Sequence, residues 1–341
     1  MRNKKGILLV FALAVVVLLV VAGCASTTQT TSTPTPAPAP APEPAKAEPG
    51  KVPNIVDDVK NSQHGKFFAF MMSKGPSVKD PQGDHYSDAC LRCHSAVFMN
   101  DDKNAKVDDF LAGGKYANPD KLEGISCRVC HTFGGKDLMG LKNKGWDSCT
   151  VCHTASGITL GKEPHHSQKE MFEGPAVGSI PATPAYKFKN MKDSFSCVSC
   201  HITNSATHTF EVPGVKITYK ANTNGTQREK TEMDWNVFKK EVLGQQQCQG
   251  CHAGNADQIV QKLKQSQEDT EKRMKALEPV YEEWSKKAAT ITDKNDAKLK
   301  AFQQFSTYYG FVESDASKGA HNAPYVKALL DEAEKAAAQL K

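Results

Sequence analysis

The chain has 341 residues, 39% of them hydrophobic and 24% charged, with 11 cysteines, 11 histidines and a formal net charge of +5. Three of the cations, Arg2, Lys4 and Lys5, fall within the first few residues, which leaves about +2 on the rest by simple charge counting. So small an excess excludes any argument from charge for a nucleic-acid partner.

Residues 1–23 place that basic stretch before an apolar run, and Val21-Ala22-Gly23-Cys24 closes it. This is the pattern of a lipoprotein signal peptide, with Cys24 acylated after cleavage. An uncleaved membrane helix is the competing expectation, because residues 6–23 approach the minimum spanning length of about 17 residues. The Ser, Thr and Pro residues that follow Cys24 at once favour the lipid anchor. Several acyl chains hold a protein on a membrane where one does not. Residues 24–50 are rich in Thr, Pro and Ala and have almost no apolar bulk, which predicts a semi-extended tether. At about 3.1 Å per residue it reaches roughly 80 Å at most. The expected location is the bacterial cell envelope, at the periplasmic face or the cell surface, and Ala25 after Cys24 favours the outer membrane.

Residues 51–341 are expected to be one unit, with 51–252 chemically distinct from 253–341. In residues 56–74, Val59, His64, Phe67, Phe68, Met71 and Met72 share one helical face. Most of residues 85–205 is punctuated by Gly, Pro, Asp and Asn, the pattern of loops, with helical turns expected around each copy of a recurring motif. Within and beyond them that motif occurs five times: Cys90-Leu-Arg-Cys93-His94, Cys127-Arg-Val-Cys130-His131, Cys149-Thr-Val-Cys152-His153, Cys197-Val-Ser-Cys200-His201 and Cys248-Gln-Gly-Cys251-His252. Chance predicts on the order of 0.01 copies in a chain of this composition. Residues 207–220 predict two short strands around Pro213-Gly214.

C-x-x-C-H is the attachment pattern of haem c, with two thioether cysteines and a proximal histidine for the iron. A zinc site needs no histidine after every second cysteine, and a thioredoxin-like redox pair occurs once, in a βαβ context. Five covalently bound haem c groups are therefore expected on the ten cysteines, with His94, His131, His153, His201 and His252 as proximal ligands. Six histidines remain for the opposite faces. His165 and His166 are neighbours and are not both expected to reach iron. The expected distal set is His64, His85, His166, His208 and His321. Met71 and Met72 sit beside Phe67 and Phe68 and read as packing. Each ferric haem with two ionised propionates brings about −1, so the holoprotein is acidic despite its sequence.

After the last motif, Met274, Leu277, Tyr281, Trp284 and Ala288 recur at 3 and 4 spacing on a Lys/Glu-rich helix. Residues 295–309 predict a second helix, Gly310 and Gly319 bracket a loop, and Pro324 opens a third helix. Such stripes serve as core or as a dimer face. The fold class expected is mainly α with many loops, a haem-packed core and long C-terminal helices.

The layout resembles the multihaem cytochromes grouped around ammonia-forming cytochrome c nitrite reductase and hydroxylamine oxidoreductase. The likeness is carried by residues 166–174, "HSQKEMFEG", by "CVSCH" followed by "THTF" with His208, and by residues 314–333, "SDASKGAHNAPYVKALLDEA". It implies a mostly α fold, closely packed haems, His321 as an iron ligand and C-terminal helices that can dimerise. In the nitrite reductases the active-site haem is usually bound through C-x-x-C-K. Here every motif ends in His, so no catalytic residue is carried over.

The leading expectation is an electron carrier rather than an enzyme: a chain of bis-His, low-spin haems exchanging electrons with other cytochromes or with quinol-oxidising membrane proteins. A reductase or oxidase of small nitrogen or sulfur compounds at one open haem is the alternative, with His85 as the histidine left unligated. A subunit of an extracellular cytochrome conduit or filament is the third.

Overall fold

The computed structural model describes residues 55–341 except 75–86, 119–122, 134–138, 144, 163, 186–195, 204–207, 223–224 and 253. The leader, Cys24, the tether and His85 lie outside the described residues. Among the described residues no helix is long and apolar enough to cross a membrane.

Residues 56–74, expected as one helix, form two, Ile55–Asn61 and Gln63–Lys74. Ser62 makes the break. Its Oγ donates to the Val59 carbonyl at 2.7 Å and accepts from the Gly65 amide at 3.3 Å, a local bond that competes with the helical ladder. A side chain at Gly65 would run into the carbonyl oxygens of Val59 and Lys60, so the close turn requires glycine there. The apolar face is as the sequence reads. Val59, Phe68, Met71 and Met72 are buried, and the last three pack with Leu91, Val97, Val107 and Phe110.

Each C-x-x-C-H sits on or beside a short helical turn: Leu91–His94, Cys127–Cys130, Trp146–Thr150, Val198–His201 and Gln246–His252. In such a turn residues three apart share a face, so both cysteines can address one group. The His153 and His201 amides donate to the carbonyls of Cys149 and Cys197, each at 2.9 Å, which closes the turn on the ligand.

Strands are few. His131–Phe133 pairs antiparallel with Met139–Leu141, and Val215–Asn222 pairs antiparallel with Gly225–Met233. The two strands expected within 207–220 are thus corrected: Pro213-Gly214 leads into one strand, whose partner comes later. Gly214, at φ 91°, makes that entry.

Three helices close the chain: Ala256–Ala288, Ala297–Asp315 and Ala323–Ala338. Leu277 and Trp284 of the first are buried with Phe302, Phe305, Tyr309, Phe311, Tyr325 and Leu329, while Met274, Tyr281 and Ala288 pack against them. Tyr281 stacks on Tyr309 with ring centres 4.8 Å apart. Burying one such side chain is worth about 1.5–3 kcal/mol. Gly310, expected to open a loop, lies inside the second helix, which runs on to Asp315 because Tyr308, Tyr309, Phe311 and Val312 around it are all buried. The Asn322 side chain caps the third helix by accepting from the Tyr325 amide at 3.2 Å.

Candidate haem centres

An imidazole nitrogen binds a first-row metal at about 2.0 Å, so two imidazoles sharing one iron hold their nitrogens about 4 Å and their ring centres roughly 6 Å apart. Five histidine pairs among the described residues meet that spacing, and four of them share no residue with one another. Ring centres are 5.8 Å apart for His94 and His166, 6.3 Å for His131 and His208, 5.8 Å for His153 and His64, and 6.3 Å for His201 and His321. In each pair one member follows a C-x-x-C and the other comes from the set read as distal. The Nε2 atoms of His153 and His64 point at one another across 3.5 Å. His166 also lies 5.6 Å from His153, but His64 faces His153, and a one-to-one match gives His166 to His94. The donor set fits haem c.

The protonation state suits metal ligation. Burial, reinforced by neighbouring histidines, pushes His64 and His94 down to about 4 and His166 down to about 3. Burial also lowers His153 and His201. A neutral imidazole with a free lone pair is the ligating form. His321 differs. Burial would lower it, but the carboxylate of Asp315 more than offsets that and its pKa is raised.

The outer ring nitrogens meet different partners. His321 Nδ1 lies 2.6 Å from Asp315 Oδ1, His201 Nδ1 lies 2.9 Å from the Phe210 carbonyl oxygen, and His153 Nδ1 lies 3.3 Å from Gln168 Oε1. The buried His131 Nδ1 meets no acceptor among the described residues.

Position comes from the C-terminal helices. His166 has φ 58°, a conformation that costs a non-glycine residue on the order of 1 kcal/mol or more and persists only where the surroundings enforce it. They do. Ser167 Oγ donates to the Phe311 carbonyl at 2.9 Å, Ser314 Oγ to Ser167 Oγ at 2.7 Å, and Gln168 Nε2 to the Ser314 carbonyl at 2.9 Å. Asn322 Nδ2 donates to the carbonyls of Met171 and Thr183, at 3.1 and 2.6 Å. Buried Glu170 takes hydrogen bonds from Thr154 Oγ1, the Ala155 amide and the Gly157 amide at 2.6, 2.9 and 3.2 Å, fixing the loop after the third motif. The His64 carbonyl accepts from the Ile125 amide at 3.0 Å, two residues before the second motif.

The motifs themselves adjoin. Cys93 lies at hydrogen-bonding distance of Cys152, and Cys197 of Cys149. Cys130 acts electrostatically on both Cys149 and Cys152, and Cys248 on Cys200. The third motif therefore borders the first, second and fourth, and the fourth borders the fifth.

Two predicted site residues stand outside these pairs, one of them outside the described residues. His252 is exposed, and His85 is undescribed. His165 stands beside His166 with ring centres 4.0 Å apart, and its ligating nitrogen lies within 4.8 Å of those of His94 and His166. Sequence reasoning missed Glu170, Gln168, Asp315 and Asn322. Only their nearness in sequence to His166 or His321 could have drawn attention to them.

Neither a protein-family model nor a curated protein matches the chain. Similar solved structures include an outer cell wall cytochrome, OcwA, with TM-score 0.53 and 23% identity over 82% of this chain and 49% of that one. An undecaheme cytochrome from the S-layer of Carboxydothermus ferrireducens gives TM-score 0.47 and 23% identity, over 82% and 41% of the two chains. A cytochrome c nitrite reductase from Desulfovibrio desulfuricans gives 0.46 and 13%, over 80% and 69%. The chain spans about half the length of OcwA. At such identity the likeness is one of fold alone: this chain has the fold of a multihaem c-type cytochrome.

Proposed function

We propose that the chain is a lipid-anchored pentahaem cytochrome of the cell envelope that passes electrons along bis-histidine, low-spin haems. The observation that carries this reading is the set of four proximal–distal histidine pairs at iron-bridging distance. When bound, each haem exchanges one electron between ferric and ferrous iron. At the four paired sites the chain would supply nitrogen on both faces, leaving no position for substrate there, and the C-terminal helices would hold His166 and His321 so that little moves as the charge changes. His94 with His166, His131 with His208, His153 with His64 and His201 with His321 are the assigned axial pairs. His85 is assigned to the fifth haem beside His252, as the candidate left over.

The neighbour relations among the motifs support a branched route, with the third haem as the junction and the fifth as an exit through the fourth. Acylated Cys24 and the tether at 24–50 would hold this unit on the membrane while it meets other cytochromes or a quinol-oxidising membrane protein. OcwA is described as an outer cell wall protein, which favours the cell surface.

A second reading, a reductase or oxidase at one open haem, is favoured at one place only. His252 is exposed, and no described histidine faces it. Electron paramagnetic resonance of the oxidised holoprotein and carbon monoxide added to the reduced form separate the two. The carrier predicts five low-spin haems and no carbon monoxide complex. One high-spin haem that binds the gas would establish the second reading in its place. Replacing His64 by Ala should turn one haem in five high-spin without loss of covalent haem. An all-low-spin variant would break its pairing with His153.

A further inference from the structure

The four described pairs differ in what their outer ring nitrogens meet, and the extreme case is the fourth. Asp315 ends the helix Ala297–Asp315 with its side chain 1% exposed. One carboxylate oxygen is held by the hydroxyl and, at 3.3 Å, by the amide of Ser317. The other lies 2.6 Å from His321 Nδ1. The same Ser317 hydroxyl accepts from the His321 amide at 3.2 Å, so one loop fixes both acceptor and ligand. Among the described residues no lysine or arginine pairs with Asp315. A buried charge without a counter-cation is costly unless a positive centre lies close.

Among the proximal histidines with a described outer-nitrogen environment, His201 meets a backbone carbonyl, His153 a side-chain amide and His131 no described acceptor. A carboxylate that accepts from a ligating histidine raises the basicity of the ligand. The more basic imidazole donates more strongly to ferric than to ferrous iron, and the fixed negative charge favours the ferric state as well. Both effects have the same sign.

We propose that Asp315 is a positioning residue that orients His321 and makes the haem of Cys197, Cys200 and His201 the lowest in potential of the four described centres. The proposal rests on the axial assignment of His201 and His321 made above. That haem lies between the third and the fifth, so its potential sets the barrier on the route toward the fifth motif.

The test is a spectropotentiometric titration of the holoprotein with Asp315→Asn, Asp315→Glu and Ser317→Ala, with electron paramagnetic resonance to follow spin state. Asp315→Asn should keep every haem low-spin and raise one midpoint, the lowest of the four assigned pairs, by the equivalent of about tenfold in the electron-exchange constant, about 59 mV for one electron. The remaining midpoints should move less. Asp315→Glu, which keeps the carboxylate, should stay near the unmodified protein. Ser317→Ala, which only loosens it, should shift the same haem upward by a smaller amount and carries the test if Asp315→Asn does not fold. The absence of a single raised midpoint in Asp315→Asn, or in Ser317→Ala when that variant carries the test, overturns the proposal. So does an equal shift of all five haems. His321→Ala separates the two claims: if every haem stays low-spin, the ligand assignment has failed, whatever Asp315 does.

Discussion

The haem-bearing region and the C-terminal helices are built by different means. From Ala256 onward the chain forms helices of 33, 19 and 16 residues around a continuous apolar cluster. Before it, the helices that carry the haem motifs are 4 to 7 residues long, and the buried apolar groups either join the C-terminal cluster, as Met171, Val177 and Ile180 do, or fall into two small clusters, one of them shared with Val260. Helices that short are not stable by themselves. What lies between them is a set of facing histidines and thiols, where bound porphyrins would supply apolar filling. The C-terminal helices serve as a clamp that holds His166 and His321 in place.

The strongest way to break this contrast is to remove a cofactor from the centre. Replacing Cys149 and Cys152 by Ala stops attachment at the motif that borders three others. Amide exchange should rise to near-unfolded rates around residues 126–153 and 196–202, while 297–338 keeps its protection. Uniform protection across the chain would show that the haem region has a core of its own. Next comes the helical core. Phe305 is fully buried, so Phe305→Ala should cost about 3–5 kcal/mol in denaturant unfolding without altering the number of covalent haems. The smallest effect is expected at the surface. Arg273 bridges Asp331 and Glu334 at 2.8 and 2.7 Å across the first and third helices. These groups are partly exposed, so Arg273→Ala should cost about 1 kcal/mol or less and lose its effect in high salt.

The same contrast explains what could be read without coordinates. C-x-x-C-H is a local pattern, since five consecutive residues contain the whole attachment chemistry. The stripe from Met274 to Ala288 is local too. Counting histidines proposes a distal set but not its pairing, because His64 precedes His153 by 89 residues and His131 meets His208 across a loop-rich stretch. No periodicity spans such distances. Gly310 misled as a loop signal because tertiary burial overrode its low helix propensity. The strand Gly225–Met233, "GTQREKTEM", was invisible because it lacks apolar alternation. Asp315 stayed hidden because a single acid before a glycine loop is ordinary, and its role depends on which ring it meets.

The central claim is the identity of the axial pairs, and an experimental density map of the holoprotein with its haems tests it most directly. The account predicts iron between His94 and His166, His131 and His208, His153 and His64, and His201 and His321. Water, methionine or any other histidine opposite His94, His131, His153 or His201 would contradict it.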